Sequence, residues 1–145
     1  MGDAPENQNI KKQLVKMLKP TKNIDNRDQI YYALSQIAAK EGDTTLCVKD
    51  LNKSVRSSTT NTGQKAVSYL GLADINFEWE DYVKSEKYYD STLFTLPKKY
   101  KGRDSLVAKE ENLKMLVKYL AVITFQDSVQ TLAKLDRKTL DKRID

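Results

Sequence analysis

A pattern of five positions occurs twice in this 145-residue chain, with the two copies 38 residues apart. The pattern combines apolar or aromatic residues with one aspartate: Tyr31, Leu34, Asp43, Leu51 and Val55 in the first copy, and Tyr69, Leu72, Asp81, Tyr89 and Leu93 in the second. A fixed period is typical of one supersecondary unit stacked on copies of itself. Because such a unit cannot close a core alone, it packs on its neighbours and leaves an extended surface that usually binds partners.

Each copy has the hydrophobic spacing of two consecutive helices. The first copy predicts helices over about 26–40 and 44–56 with a turn at Gly42-Asp43, and the second predicts helices over about 63–79 and 82–95. The polar run 57–62 predicts a lengthened loop between the copies. We therefore expect two helical hairpins in succession.

Helices are also predicted on both sides of the two copies. Apolar residues four and three apart predict a helix over 7–19, which Pro20 ends. A long helix is predicted over about 104–124, followed by a break and a short helix near 126–134. The apolar residues of the long helix do not repeat the pattern of the two hairpins, so a third copy is not predicted there.

The composition excludes several kinds of chemistry. The chain has no histidine, which is the usual general base and the commonest metal ligand. It contains no G-x-S-x-G motif and no glycine-rich phosphate loop. Its single cysteine, Cys47, cannot form an internal disulfide and is expected to be a small buried apolar residue. The sequence therefore predicts no catalytic residue, no metal and no cofactor, and the chain is not expected to be an enzyme.

Two charged clusters carry weaker hypotheses. Asp74, Glu78, Glu80 and Asp81 are acidic, but no calcium-type loop surrounds them, so a solvated acidic edge is preferred to a cation or catalytic site. The basic residues of a predicted loop are a candidate contact for an acidic partner or a membrane surface: Lys98, Lys99, Lys101 and Arg103. Because 20 acidic residues are interspersed along the chain, the net charge of +5 does not favour nucleic acid.

The hairpin pattern resembles the tetratricopeptide repeat (TPR). Family positions are matched by Tyr31 and Leu34 in the first copy, and by Tyr69, Leu72, Tyr89 and the closing Pro97 in the second. The resemblance implies an all-α fold, a right-handed α-α superhelix of helical hairpins. Repeats would span 25–61 and 62–97, with a helix of a preceding repeat in 1–24 and a helical extension in 98–145, all in one domain. Ser85 and Thr92 replace the alanines that the family prefers, which predicts a looser helix crossing.

The TPR resemblance also implies a partner-binding groove lined by the first helix of each repeat. Tyr32, Gln36, Leu70, Asp74 and Phe77 map to this groove, and the apolar members form a strip suited to a peptide or a partner helix. Additional helices packed in the same place are the alternative. Gly71 also maps to this face.

Four local strings, at 27–34, 64–75, 88–97 and 126–133, are similar to the TPR-containing gliding-motility and secretion lipoproteins of Bacteroidetes, of the SprE/PorW type. This resemblance implies a scaffold that binds other proteins of the type IX secretion and gliding machinery. It also implies a periplasm-facing lipoprotein of the outer membrane, with membrane contact only through an anchor outside residues 1–145. A generic peptide-binding TPR adaptor unrelated to secretion is the alternative.

Overall fold

A computed structural model describes residues 5–144; the first four residues of the predicted 1–24 segment, and Asp145, lie outside the described residues. The chain forms α1 (Pro5–Met17), a 3-10 helix (Thr21–Asn26), α2 (Arg27–Lys40), α3 (Thr44–Ser57), α4 (Thr62–Glu78), α5 (Tyr82–Thr95) and α6 (Arg103–Ile144). Between residues 5 and 144 there is no strand, so the all-α prediction is confirmed. No helix in this range is both long and apolar enough to cross a bilayer.

The core consists of two consecutive helical hairpins. α2 packs on α3 and α4 on α5, while α3 contacts α4 and α5 contacts α6, so that packing follows chain order. Both second helices begin at an aspartate, because Asp43 accepts a hydrogen bond from the Leu46 amide at 3.0 Å and Asp81 accepts one from the Lys84 amide at 3.2 Å. The hairpins predicted from the sequence are therefore formed close to the predicted boundaries.

Burial repeats with the same 38-residue spacing as the sequence pattern. Both residues are buried in each of these pairs of positions 38 apart: Asp28 and Ala66, Ile30 and Ser68, Leu34 and Leu72, Ser35 and Ala73, Ala38 and Asn76, Cys47 and Ser85, Leu51 and Tyr89, Ser54 and Thr92. The two hairpins thus use equivalent positions for packing, even where the residue types differ. A right-handed superhelix of the TPR type stays a prediction.

The small polar residues at the helix crossings are buried and hydrogen-bonded, while a looser crossing stays a prediction. Ser85 and Thr92 are fully buried, and their hydroxyls donate to the Ala73 and Tyr88 carbonyls, both at 2.8 Å. Between the hairpins, the hydroxyl oxygens of Ser54 and Ser68 are 2.7 Å apart. Because every one of these hydroxyls has a partner, small polar residues allow close packing without leaving a buried group unsatisfied.

Gly71 lies where α4 crosses α3, and not on the groove where the sequence placed it. A Cβ atom at this position would lie 3.1 Å from Leu51 Cδ1. Such a distance is tighter than ordinary van der Waals contact, so the missing side chain lets the two helices approach closely. Gly71 therefore contributes to helix packing between the hairpins.

The predicted helix break near residue 125 is wrong, because α6 continues for 42 residues. No glycine or proline occurs between 103 and 144 to interrupt it. The turn-forming residues at this point are absorbed into the helix, since Thr124 and Ser128 donate hydroxyl hydrogen bonds to the Leu120 and Thr124 carbonyls, both at 2.9 Å.

We expect Glu80→Gly to raise the free energy of unfolding by about 0.5–1 kcal/mol. Glu80 has a φ of 60°, whereas Gly42, at the equivalent position of the first turn, has a φ of 78°. Glycine adopts this left-handed conformation without steric cost. Urea denaturation followed by circular dichroism measures the change. Glu78→Gly, within the last turn of α4, is the matched control and should be destabilising; a Glu80→Gly variant as unstable as this control would contradict the prediction.

We expect Cys47 to react with a thiol reagent at least about 100-fold more slowly in the native protein than in denaturing urea. Its side chain is 2 % exposed. Burial raises the pKa of the thiol, and the nearby Asp50 carboxylate raises it further, so little reactive thiolate forms. Alkylation followed by mass spectrometry measures the two rates, and equal rates would show that α3 opens freely.

Candidate partner-binding site

The predicted groove residues differ in how much surface they offer. Gln36, Asp74 and Phe77 are exposed, whereas Tyr32 and Leu70 are half-buried. Tyr32 packs against the core cluster that joins α2, α3 and α4, and Leu70 packs against the cluster that joins α4, α5 and α6. Much of the predicted apolar strip is therefore used for packing, and Phe77, which is 41 % exposed, is its most exposed apolar member.

Phe77 lies at one end of a pocket between α4 and α6. The pocket has a volume of 220 Å³ and is lined by Phe77, Lys109, Asn112, Leu113 and Leu116. The Phe77 ring meets the Tyr82 ring edge-on, with 5.5 Å between the ring centroids. On the other side, Lys109 Nζ lies 5.3 Å from the centre of the Phe77 ring. The pocket thus combines apolar walls with one cation, a pairing suited to an apolar side chain next to a carboxylate.

Asp74, another predicted groove residue, is held by two neighbours. The Tyr89 hydroxyl donates a hydrogen bond to Asp74 Oδ1, and Lys109 Nζ lies 3.8 Å from the same oxygen. Burial, followed by the hydrogen bond to Asp74 and the charge of this carboxylate, raises the pKa of Tyr89, which keeps the phenol neutral. The carboxylate is therefore oriented by the fold, with its charge partly balanced before any partner arrives.

Lys109 is a residue of this site that sequence reasoning missed. It lies 38 positions after Gly71, and Tyr89 lies 38 positions after Leu51. These two positions lie against each other in both repeats. Lys109 Nζ is 5.0 Å from the centre of the Tyr89 ring, and Gly71 lies against the Leu51 side chain. Extending the period into α6 would have identified this position.

The rest of the acidic cluster has ordinary surroundings. Glu78 and Glu80 are exposed, and Asp81 forms the N-terminal cap of α5. Within residues 5–144 no three acidic or cysteine side chains are grouped in a way that could hold a metal ion. The cluster therefore offers no arrangement beyond a charged edge of the turn between α4 and α5.

The four predicted basic contact residues have two different environments. Lys98, Lys99 and Lys101 are exposed in the loop 96–102. Arg103 Nη1 donates to the Leu93 carbonyl at 2.8 Å and to the Leu96 carbonyl at 3.3 Å. Because these carbonyls end α5, the Arg103 guanidinium stabilises the helix terminus. Contact of the lysines with an acidic partner or a membrane surface stays a prediction.

A second, more polar cleft lies beside α5. It has a volume of 440 Å³ and is lined by Ser58, Thr59, Thr62, Lys65, Tyr69, Asp90, Ser91, Phe94 and Thr95. Phe94 at its edge is 93 % exposed, the most exposed of the large apolar residues described. This exposure agrees with the repeat, because the equivalent position of the first hairpin holds Arg56, which is also exposed.

The described geometry defines the class of this protein as an all-helical array of hairpins with a side-chain pocket between α4 and α6. No family model matches the chain, and no curated protein matches it.

Proposed function

We propose that this chain is a non-catalytic scaffold of the TPR type that binds other proteins. The observation that carries this proposal is the repetition of buried positions at a period of 38 residues across the two hairpins. Stacked helical hairpins present extended surfaces to their partners, whereas their cores serve packing alone. The binding surface would be the side formed by α2, α4 and the first half of α6.

The pocket between α4 and α6 is the proposed anchor point on this surface. An apolar side chain of a bound segment would contact Phe77, Leu113 and Leu116, all of which line the pocket. A carboxylate next to that side chain would lie near Lys109, whose ammonium group already faces the Phe77 ring. An amphipathic helix or an extended peptide that carries an apolar residue beside an acidic one has the chemistry for this site.

The proposed setting is the cell envelope of a Bacteroidetes organism, in the type IX secretion and gliding machinery. The support is the similarity of four local strings to that lipoprotein family. Two of these strings lie on α2 and α4, and a third begins on α5 and ends just beyond it. The protein would face the periplasm at the outer membrane, and its anchor would lie outside residues 1–145. A generic adaptor for peptides is the alternative.

A capture experiment tests both the setting and the site. The full chain is immobilised, exposed to detergent-solubilised envelope extract of the source organism, and washed at low and then high salt. Mass spectrometry identifies the retained proteins. Phe77→Glu places a charge in the pocket, and Val83→Glu, at an exposed position of α5, is the matched control. We expect secretion components to stay bound at high salt to the wild type and to Val83→Glu, and to be lost with Phe77→Glu.

Other results of the capture experiment would contradict the secretion setting or the pocket. Retention of only acidic proteins that high salt releases would show a nonspecific basic surface and would overturn the secretion proposal. A specific partner outside the secretion machinery that Phe77→Glu releases would support the generic adaptor. A partner that binds both variants equally would mean that the site is not the pocket between α4 and α6.

A further inference from the structure

The second half of α6, residues 118–142, packs on no other part of the described chain. Every residue in this stretch is exposed, and the large apolar side chains there include Tyr119, Val122, Phe125, Val129 and Leu132, of which Phe125 is 69 % exposed. A helix of this length without tertiary packing is marginal in water. A contiguous apolar stripe on it is also unusual for a free surface. Another surface that covers the stripe would stabilise this half of the helix.

The stripe follows the seven-residue period of a coiled coil. Eight residues of the helix, called the seam here, follow one another at spacings of three and four in turn. Every second one belongs to a first set, Met115, Val122, Val129 and Asp136, and the others form a second set, Lys118, Phe125, Leu132 and Thr139. Residues at the edges of the stripe, among them Tyr119, Ala121, Ala133 and Leu135, widen it with uncharged surface. Leu120 and Ile123 are also exposed but lie outside the two sets, on the side of the helix nearer Leu113. The two sets by themselves have the spacing of a seam for one further helix.

The seam faces away from the rest of the protein. Leu113 is 4 % exposed and packs in the core cluster with Ala73 and Tyr89, whereas Met115 is 55 % exposed. Two residues along a helix correspond to a rotation of about 200°, so the side chain that binds the core and the first side chain of the seam lie on nearly opposite sides. A second helix can therefore lie along the seam without displacing α5.

The charged residues of the seam identify its occupant. Lys118 and Asp136 are the two charged positions among the eight seam residues, and they lie near its opposite ends. In an antiparallel pair of identical helices, the first set of one helix faces the second set of the other. Lys118 then faces Asp136 of the second copy, while Val122 faces Leu132 and Phe125 faces Val129. Met115 faces Thr139 at each end of the seam. The two charges are thus paired with each other, and the four central residues all have apolar partners.

Other ways of aligning the α6 helices of two copies lose the pairing of Lys118 with Asp136. A parallel pair would place Lys118 against Lys118 and Asp136 against Asp136, which opposes like charges in the seam. Moving the antiparallel pair by seven residues would place Lys118 against Val129 or Asp136 against Phe125. One alignment therefore buries the apolar residues together and pairs both charges.

We propose that α6 binds α6 of a second copy of this chain as an antiparallel coiled coil over residues 115–139, with the two-fold axis beside Asp127. This dimer goes beyond the proposed scaffold function and does not depend on it, because the pocket between α4 and α6 takes no part in the seam. Each dimer contains the contact between Lys118 and Asp136 twice.

Sedimentation velocity of the full chain over a range of concentrations tests the dimer. We expect the wild type to dimerise, and Lys118→Asp and Asp136→Lys each to weaken the dimer by about tenfold or more, because each change places like charges in two layers. The double variant Lys118→Asp/Asp136→Lys should recover the wild-type affinity. An equimolar mixture of the two single variants should form a heterodimer. Lys134→Asp, outside the seam, is the matched control and should dimerise like the wild type.

The fluorescence of Trp79, far from the seam in sequence, checks that the hairpins stay folded in each variant. The proposal would be overturned by a monomer at every concentration, by a dimer that both single variants leave unchanged, or by a double variant that does not recover. Loss of the dimer in Lys134→Asp to the same degree would also overturn it, because the effect would then be one of net charge.

Discussion

Tyr89→Ala is expected to lower the free energy of unfolding by about 3–5 kcal/mol. Tyr89 is fully buried and belongs to the cluster with Ala73 and Leu113 that joins α4, α5 and α6. Its removal leaves a cavity at the meeting point of three helices and removes the hydrogen bond to Asp74. Urea denaturation at neutral pH, followed by circular dichroism, measures the loss. A marginally stable domain would be partly unfolded by a change of this size.

Two controls separate packing from hydrogen bonding at this position. Tyr89→Phe keeps the ring and loses the hydroxyl, so we expect a loss of about 0.5–1.5 kcal/mol. Phe94→Ala, five residues further along α5 at a position that is 93 % exposed, should change stability by less than about 0.5 kcal/mol. If Phe94→Ala were as destabilising as Tyr89→Ala, the assignment of inward and outward faces on α5 would be wrong.

Glu110→Leu is expected to raise the free energy of unfolding at pH 7 by about 1–3 kcal/mol. Glu110 lies 38 residues after Leu72 and is only 6 % exposed, so a carboxyl group occupies the core position that holds leucine in both hairpins. Its Oε1 atom has no hydrogen-bond partner, and the nearest ammonium group, that of Lys114, is 3.9 Å away. Leucine would fill the same position without a buried charge.

The gain should depend on pH in a defined direction. Burial raises the pKa of Glu110, the neighbouring Glu86 and Asp90 carboxyl groups raise it further, and Lys114 lowers it. Because the folded protein binds this proton more tightly than the unfolded chain, the carboxyl group costs stability as the pH rises through its raised pKa. Below the unfolded value of 4.5 the group is protonated in both states and this cost disappears.

Urea denaturation of the wild type and of Glu110→Leu at several pH values measures this difference. The advantage of the variant should be largest at pH 7 and should shrink as the pH falls towards 4.5, the ordinary pKa of the group. Glu111→Leu, at the adjacent and exposed position of α6, is the matched control and should show neither effect. If the gain in the free energy of unfolding were the same at every pH, its cause would be packing and not the charge of Glu110.

The repeat allowed the two hairpins to be predicted from sequence. Leu51 and Tyr89 differ in size and chemistry, yet their shared position in the period identified both as core residues, and both are buried. The repeat also marked Asp43 and Asp81 as equivalent turn positions, and the structure adds that each caps the helix that follows. Local spacing was sufficient here because the contacts within each hairpin are close in sequence.

α6 shows where this reasoning failed. The first half of α6 continues the period, but the leucine position holds Glu110 and the glycine position holds Lys109, so hydrophobic spacing did not reveal it. The continuity of the helix was missed because polar residues at 126–128 resemble a turn, although hydroxyls can bond to the backbone within a helix. The pocket beside Phe77 could not be predicted either, since it depends on how α6 packs against α4.

The length of α6 has a mechanical consequence. At about 1.5 Å per residue, the part beyond residue 117 extends about 40 Å from the last turns that contact the hairpins. A straight helix of this length acts as a lever, so a tilt of about 10° where Leu113 packs would move its far end by about 7 Å. A partner that shifts α6 slightly at the Phe77 pocket would therefore produce a displacement several times larger at the opposite end of the helix.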